Sequence, residues 1–344
     1  MKFDFVIGNP PYQQDVKNEG DRANPVYDKF MDSAFQVGDY VELIHPARFL
    51  FNAGQTSKQW NMKMLQDTHY KILKYEPDAT VIFPNTDIKG GVAISVRNAN
   101  LVYGAIGTFT TYSELNAILK KIAKATPDDC FIDNIVSSRG LYRFSPAFYE
   151  TFPDASSLVG TGSGNMIVSN AFDKLSQVFL PQMPNDGKEY ISILGRTGNS
   201  RVVKYILKSF VIDNEFLHKF NVMMPEANGT GKFGETLSSP FVAKPEEGAT
   251  DTFISIGKFD SEKEADALLN FIKTKFARAL LGVNKATQHN PKSVWKSIPQ
   301  QDFTPSSDID WSKPIRQIDQ QLYHKYGLTE EEITFIETHV KEMN

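Results

Sequence analysis

The tetrapeptide Asn9-Pro10-Pro11-Tyr12 carries the most specific chemistry in the chain. Each proline fixes its φ angle and donates no backbone hydrogen bond. Their carbonyls are therefore held outward and free to accept. Asn9 adds a side-chain carbonyl. The turn thus offers Asn9 Oδ1 and the Pro10 oxygen as neighbouring acceptors, with the aromatic face of Tyr12 beside them. A planar exocyclic amine has two donors that match this pair. The amine of adenine is a poor nucleophile, because its lone pair is delocalised into the ring. Acceptors that grip both hydrogens favour a tetrahedral nitrogen and free the lone pair for attack, a case of preorganised dipoles stabilising developing charge. Such a base must first leave the duplex stack, at a cost of a few kcal/mol. Stacking on an aromatic face returns about 1–3 kcal/mol.

The elements around this turn read as alternating strands and helices. Phe3 to Ile7 is a short apolar run broken by Gly8-Asn9-Pro10-Pro11, so it reads as a strand, buried in mid-sheet, that ends in a rigid turn. In open α/β sheets, ligands bind outside the carboxyl ends of the strands. Asn24-Pro25 predicts a helix start, with Asn as cap and Pro at the first position. Val26, Tyr27, Phe30, Ala34 and Val37 follow at helical spacing, and Gly38 stops the run. Tyr40 to Ile44 reads as a second strand, ended by Pro46. Thr56 to Asp67 predicts a helix, and His69 to Tyr75, Thr80 to Phe83 and Gly91 to Val96 predict further strands. This alternation predicts a parallel, open α/β sheet. Ser113 to Ala125 is an amphipathic helix capped by Ser113. From about residue 151 Gly and Ser become more frequent and the strands shorten, with Ile191–Leu194 and Val202–Ile206 as core pieces. The stretch 228–240 is a polar glycine-rich loop. Ser261 to about Leu281 predicts one long helix, opened by a Ser261–Glu264 capping box. Two helices follow near 314–326 and 330–342, the second with a Thr329–Glu332 box.

Composition narrows the setting. A chain of 344 residues with 41% apolar residues has material for two domains and a sizeable core. Charged residues at 23% exclude global disorder. The single cysteine, Cys130, excludes an intramolecular disulfide framework and a multi-cysteine zinc site. Histidines 45, 69, 218, 289, 324 and 339 show no metal-ligand spacing; His45, before Pro46 at a strand end, reads as a packed core or rim residue. No apolar run approaches the roughly 18 residues of a membrane span, and the N-terminus lacks signal-peptide anatomy. The expected setting is a reducing cytoplasm, with no membrane partner. The net charge of −4 is unevenly spread. Between Ala267 and Gln301 there is no acid, only Lys273, Lys275, Arg278, Lys285, Lys292 and Lys296. From Asp302 onward nine acids face four bases. The basic stripe reads as a DNA-facing surface, or alternatively as the solvated face of a helix. Lys232, Arg196 and Arg201 are further candidate DNA contacts. Trp295 and Trp311 read as core anchors.

With these residues in hand, FDFVIGNPPYQ is similar to the catalytic motif of the adenine-specific (N-6) DNA methyltransferases of type II restriction-modification systems, in their bifunctional restriction–methylation form. NPVYDKFMDSAF (24–35) resembles the helix after that motif, and YVELIHPARFL (40–50) the next strand and loop. ATVIFPNTDIKGGVAISV (79–96) resembles the later strand pair that carries a base-stacking Phe, which falls on Phe83. The likeness covers residues 1 to about 98. It implies that Asn9 and Pro10 grip the target amine, within a catalytic set of Asn9, Pro10, Pro11, Tyr12 and Phe83, and that Tyr12 and Phe83 sandwich a flipped base. It implies S-adenosylmethionine as methyl donor and double-stranded DNA as substrate. Residues 226–342 resemble target-recognition segments.

The family's cofactor turn, aromatic-x-Gly-x-Gly, lies upstream of the Asn-Pro-Pro-Tyr turn, and only eight residues precede Asn9 here. The expectation is a catalytic half lacking its cofactor-binding half, completed by an upstream or separate cofactor-binding polypeptide. SLVGTGSGNMIVSN (157–170), with Gly160, Gly162 and Gly164, is a weak cofactor-loop candidate within the chain. A DNA-recognition subunit, or an inactive fragment, is the second reading. A third is a Mg²⁺-dependent nuclease, because Pro77-Asp78 followed by Asp87-Ile88-Lys89 fits PD…(D/E)xK, with Asp78, Asp87 and Lys89 as its residues. The expected fold is α/β. It comprises a partial Rossmann-like methyltransferase sheet, strand four onward, over residues 1–110, a connector over 111–150, and a mixed α+β target-recognition domain over 151–344.

Overall fold

A computed structural model describes residues 2–14, 24–84, 86, 88–159, 164–285 and 287–343. The chain divides into two compact units, residues 1–120 and 121–344. The division falls within a helix rather than at 110. Tyr142, Phe144 and Phe148, within the expected connector over 111–150, are buried in the core of the second unit.

The first unit is a four-stranded sheet with helices. Its elements are β1 (Phe3–Gly8), α1 (Tyr27–Val37), β2 (Gly38–Pro46), α2 (Lys58–Gln66), β3 (Tyr70–Glu76), β4 (Val92–Asn98) and the start of α3 (Ser113–Ala125). Strand order is β1-β2-β4-β3. Only β1 and β2 run parallel; β4 is antiparallel to both β2 and β3. The expected all-parallel sheet is thus a mixed one. The reason lies in the connections. Helix α1 joins β1 to β2, as a parallel pair requires, whereas β3 turns back into β4 without a helix. Thr80–Phe83, expected as a strand, is part of that turn. Residues 79–81 form a 3₁₀ turn opened by the Asp78 side chain, which accepts from Thr80 N at 3.0 Å, and Phe83 N donates to Ala79 O at 2.8 Å. Gly91, at φ +77°, sits against the Glu76 carbonyl, where any side chain would collide. Helix α1 lacks the expected Asn24 cap, since Val26 occupies that position and caps nothing. Pro25 instead bridges to Gln13. One face of the sheet packs Val41, Leu43 and Ala93 against Met31, Trp60, Met64 and Tyr70.

Strand β1 is at the sheet edge, not in its middle. Its alternate residues Phe3, Phe5 and Ile7 are 52%, 69% and 76% exposed, while Val6 packs on the core.

The second unit carries α4 (Pro146–Thr151), α5 (Ala155–Val159), α6 (Ala171–Lys174), β5 (Tyr190–Thr197), β6 (Ser200–Leu207), β7 (Phe220–Pro225), β8 (Phe241–Ala243), β9 (Glu247–Ala249), β10 (Phe253–Phe259), α7 (Glu262–Lys273), α8 (Lys275–Asn284), α9 (Ile315–Lys325) and α10 (Glu330–His339). Two three-stranded sheets run β10-β7-β8 and β6-β5-β9. Ile191, Ile193 and Ile206 bury one face of the β5–β6 hairpin against Phe144, Phe172 and Phe179. The single long helix expected from Ser261 is two, because Thr274 ends α7 and caps α8 through Ala277 N at 3.1 Å. The capping boxes at Ser261 and Thr329 are both formed. Trp295 is fully buried and Trp311 half-buried.

Candidate active site

The parallel pairing of β1 and β2 brings their carboxyl ends to one edge of the sheet. β1 ends in Gly8 and continues into Asn9-Pro10-Pro11-Tyr12, and β2 ends in His45-Pro46. The turn is tied down behind the prolines. Tyr12 O accepts from Val26 N at 3.1 Å, and Gln14 N donates to Asn24 O at 2.9 Å. Because the turn is fixed through Tyr12, its acceptors are left over: Asn9 is exposed, and among the described residues neither its side chain nor the Pro10 carbonyl takes a hydrogen bond. The Tyr12 hydroxyl is buried and has no partner among the described residues. Burial pushes its phenol up to about 12.

Phe83, 71 residues away in sequence, meets Tyr12 in space. Their ring centroids lie 6.2 Å apart at 73°, edge to face. That is the spacing of rings in direct contact. With no base present, the two rings touch each other edge to face.

Beside the pair lies a cavity of about 730 Å³, lined by Tyr12, Tyr27, Pro46, Arg48, Gln55 and Lys89 among others. This volume suits a small-molecule or nucleotide-sized ligand. Tyr27 forms part of its floor, and burial raises its phenol to about 12. His45 lies behind, fully buried, with Nδ1 3.0 Å from Pro46 O and Nε2 2.7 Å from Ser95 Oγ. Tyr70 Oη is 3.0 Å from the same Nε2. Desolvation lowers His45 to about 4, so the ring is neutral and structural, as a packed core histidine should be. Arg48 and Tyr27 lie in the segments 40–50 and 24–35 that carry the resemblance, but nothing in the sequence singled them out as site residues. The signal available was position alone, since Arg48 follows the carboxyl end of β2.

The basic stripe comes apart in the structure. Arg278 is 2% exposed and donates to the carbonyls of Lys273, Glu235 and Lys341 at 3.0, 3.4 and 2.6 Å. Lys285 is buried, paired with Glu235 at 2.8 Å and bonded to Asn228 O at 2.9 Å. Lys275 pairs with Glu337 at 2.7 Å and Glu342 at 3.6 Å. These three cations are engaged by partners within the second unit. Lys273 is half-buried, whereas Lys232, Lys292 and Lys296 are exposed. Arg196 and Arg201 are exposed near the tip of the β5–β6 hairpin and oppose one another in register. Arg201 lies over the Phe253 ring at 5.3 Å.

Of the candidate cofactor-loop glycines only Gly164 is described. Gly160 and Gly162 lie outside the described residues, and helix α5, not a strand, leads into the stretch that holds Gly164. A cofactor turn of this kind follows a strand and opens a helix. Gly164 O instead accepts from Arg143 Nη1 at 2.8 Å. Of the residues in the nuclease reading, Asp78 accepts at Oδ1 from Thr80 N and, at 2.6 Å, from Thr80 Oγ1. Asp87 lies outside the described residues, and among the described ones no group of three or more His, Cys, Asp or Glu is placed to hold a metal. Among the described residues no helix is long and apolar enough to cross a membrane.

Comparison with known proteins bears on the same segment. Residues 1–83 match the Eco57I restriction-modification methylase family. An uncharacterised adenine-specific methylase of Mycoplasma pneumoniae is 29% identical over 103 residues, which is 29% of this chain and 24% of that protein. The type IIG restriction endonuclease BpuSI shares 11% identity at a TM-score of 0.31, covering 98% of this chain and 54% of its own. The type IIL restriction-modification enzyme MmeI, solved in complex with DNA, shares 9% at 0.36, covering 97% and 56%. Superpositions this loose do not bear on the fold. The chain thus spans about a quarter of the curated relative and little more than half of either solved enzyme. What the comparisons carry is confined to the site segment: residues 1–83 are similar to the Eco57I restriction-modification methylase family.

Proposed function

We propose that the chain is the target-base-binding and DNA-recognition portion of an adenine-specific DNA methyltransferase of a restriction-modification system. The observation that carries this reading is the meeting of Tyr12 and Phe83 at the carboxyl ends of β1 and β2, beside two unused acceptors. Asn9 Oδ1 and Pro10 O accept the two hydrogens of a flipped adenine's amine. This pyramidalises the nitrogen and exposes its lone pair. Phe83 swings off Tyr12, and the base stacks in its place. The second unit supplies duplex contacts through Arg196, Arg201, Lys232, Lys273, Lys292 and Lys296, and the setting is the cytoplasm.

S-adenosylmethionine is the methyl donor in this reading, held outside the described residues. The edge strand supports a separate or upstream cofactor-binding polypeptide. Phe3, Phe5 and Ile7 present an apolar row on a strand that, among the described residues, is paired on one side only. An open apolar edge is an aggregation hazard unless something pairs or covers it. Tight binding of S-adenosylmethionine by the purified chain would defeat this partner-dependent form.

The grip is tested without any cofactor. Two single-stranded oligonucleotides are compared, one carrying adenine and one carrying purine, which lacks the amine, at a single position. The wild-type chain is expected to bind the adenine strand several-fold more tightly, and Asn9→Ala to erase the difference. Equal binding of both strands by the wild-type chain refutes the grip. In the assembled enzyme Asn9→Ala is expected to abolish methyl transfer while DNA binding stays nearly intact.

A further inference from the structure

We infer that Arg48 is a phosphate-binding residue at the mouth of the target-base cavity, contacting the backbone of the strand whose base lies on Tyr12. The inference rests on the target-base reading above and adds to it the anchor of the flipped nucleotide.

Arg48 opens the 3₁₀ turn that follows β2 and lines the same cavity as Tyr12 and Tyr27. It is exposed, and it forms no ion pair or side-chain hydrogen bond among the described residues. Its stem is nonetheless held in place. Gly54 and Gly90, in separate loops and at φ +96° and +90°, both lie against it. A Cβ on Gly54 would stand 3.3 Å from Arg48 Cβ, and one on Gly90 would collide with Arg48 Cγ. Both positions need glycine twice over, for the left-handed backbone and for the room. A long side chain whose stem packs on two glycines and which bonds nothing among the described residues is oriented for a ligand. Such preorganisation lowers the entropy lost on binding.

Charge decides what that ligand is. Arg48 and Lys89 are the ionisable cations of the described lining, and that lining holds no acid. The planar guanidinium matches the geometry of two phosphate oxygens, where a lysine supplies only a point charge. With a base on Tyr12, the adjoining phosphate is the part of a nucleotide that stays at the cavity mouth. An amine or a neutral sugar finds no complement in this pair of cations.

The test uses the full chain and a fluorescein-labelled oligodeoxyadenylate of about a dozen nucleotides, titrated at several salt concentrations. Arg48→Gln is expected to weaken binding on the order of tenfold and to flatten the log–log salt slope by about 0.7, the value of one single-strand phosphate contact. Arg48→Lys should keep the slope and lose part of the affinity. Gly90→Ala should weaken binding while every charge is retained, because it displaces the Arg48 stem. Arg48 is exposed, so an unchanged thermal midpoint is expected of both Arg48 variants and confirms that they fold. If Arg48→Gln leaves affinity and slope unchanged while Tyr12→Ala weakens binding, the phosphate role is overturned and the target-base reading stands. If neither substitution has an effect, the target-base reading fails and this inference falls with it.

Discussion

Replacing Tyr12 by phenylalanine separates the two things this residue could contribute, its ring and its hydroxyl. The hydroxyl is buried with no partner among the described residues. A buried donor left unsatisfied costs about 1–3 kcal/mol. Tyr12→Phe deletes that cost and leaves the ring in contact with Phe83, so the protein should gain stability, by about 1 kcal/mol or more, and melt a few degrees higher. Tyr12→Ala should do the opposite. It loses the edge-to-face contact with Phe83, worth about 0.5–1.5 kcal/mol, and in the base-binding reading it also loses about 1–3 kcal/mol of stacking. The stacking loss corresponds to roughly five- to 150-fold in affinity for an adenine-containing single strand. There is a pH signature as well. The folded protein holds the phenol proton more tightly than the unfolded chain does, with a value of about 12 against 10. The Tyr12 contribution is therefore intact below pH 10 and lost as pH rises from 10 toward 12, and Tyr12→Phe should remove that part of the alkaline decline. Denaturant melting and fluorescence anisotropy read both effects. A Tyr12→Phe protein that is less stable, or that binds as poorly as Tyr12→Ala, refutes the reasoning: the hydroxyl, not the ring, would then be the working part.

His45 is held neutral by burial at about 4 against an ordinary value of 6.5. The unfolded chain takes up that proton first, so about 3 kcal/mol of stability is present above pH 6.5 and lost as pH falls from 6.5 through 4; an NMR titration of the His45 ring with a midpoint near 6.5 would contradict this. Lys285→Ala breaks a buried pair with Glu235 and should cost about 3–5 kcal/mol in a denaturant melt. If instead Lys285→Ala left stability intact and reduced only DNA affinity, the structural assignment of Lys285 would be wrong. The double change Lys292→Ala and Lys296→Ala should leave stability within about 0.5 kcal/mol and, if these side chains meet phosphates, flatten the duplex salt slope by about 0.9 for each.

What could be read from the sequence was what is local. The Asn9–Tyr12 turn, the helix over Ser113–Ala125 and both capping boxes depend on residues a few positions apart, and they stand where spacing put them. The pairing of Phe83 with Tyr12 is long-range, and it came from family likeness rather than from any periodicity. Strand direction was misjudged because an apolar run has the same appearance in either orientation; the missing helix between β3 and β4 is what makes β4 antiparallel. Thr80–Phe83 has β-branched residues in a row, yet the Asp78 cap turns it into a 3₁₀ turn, a case of side-chain hydrogen bonding overriding propensity. Thr274 likewise splits one periodic run into two helices by capping the second.

Charge was the least legible quantity, and the two units show why. A count of cations from Ala267 to Gln301 treats each as a surface group, but a cation's role is set by what lies opposite it. Glu235, Glu337 and Glu342 come from other parts of the chain and neutralise Lys285 and Lys275, and three backbone carbonyls absorb Arg278. Of these partners only the Lys273 carbonyl lies within the stripe. Arg48 shows the converse. It has no cationic neighbours in sequence and follows a strand end, so no charge pattern marks it. Yet it has no acidic partner among the described residues, and two glycines lie against its stem. An arginine that folding has satisfied with carbonyls is structure; an arginine that folding has oriented and left unsatisfied is the one with affinity to spare for a phosphate.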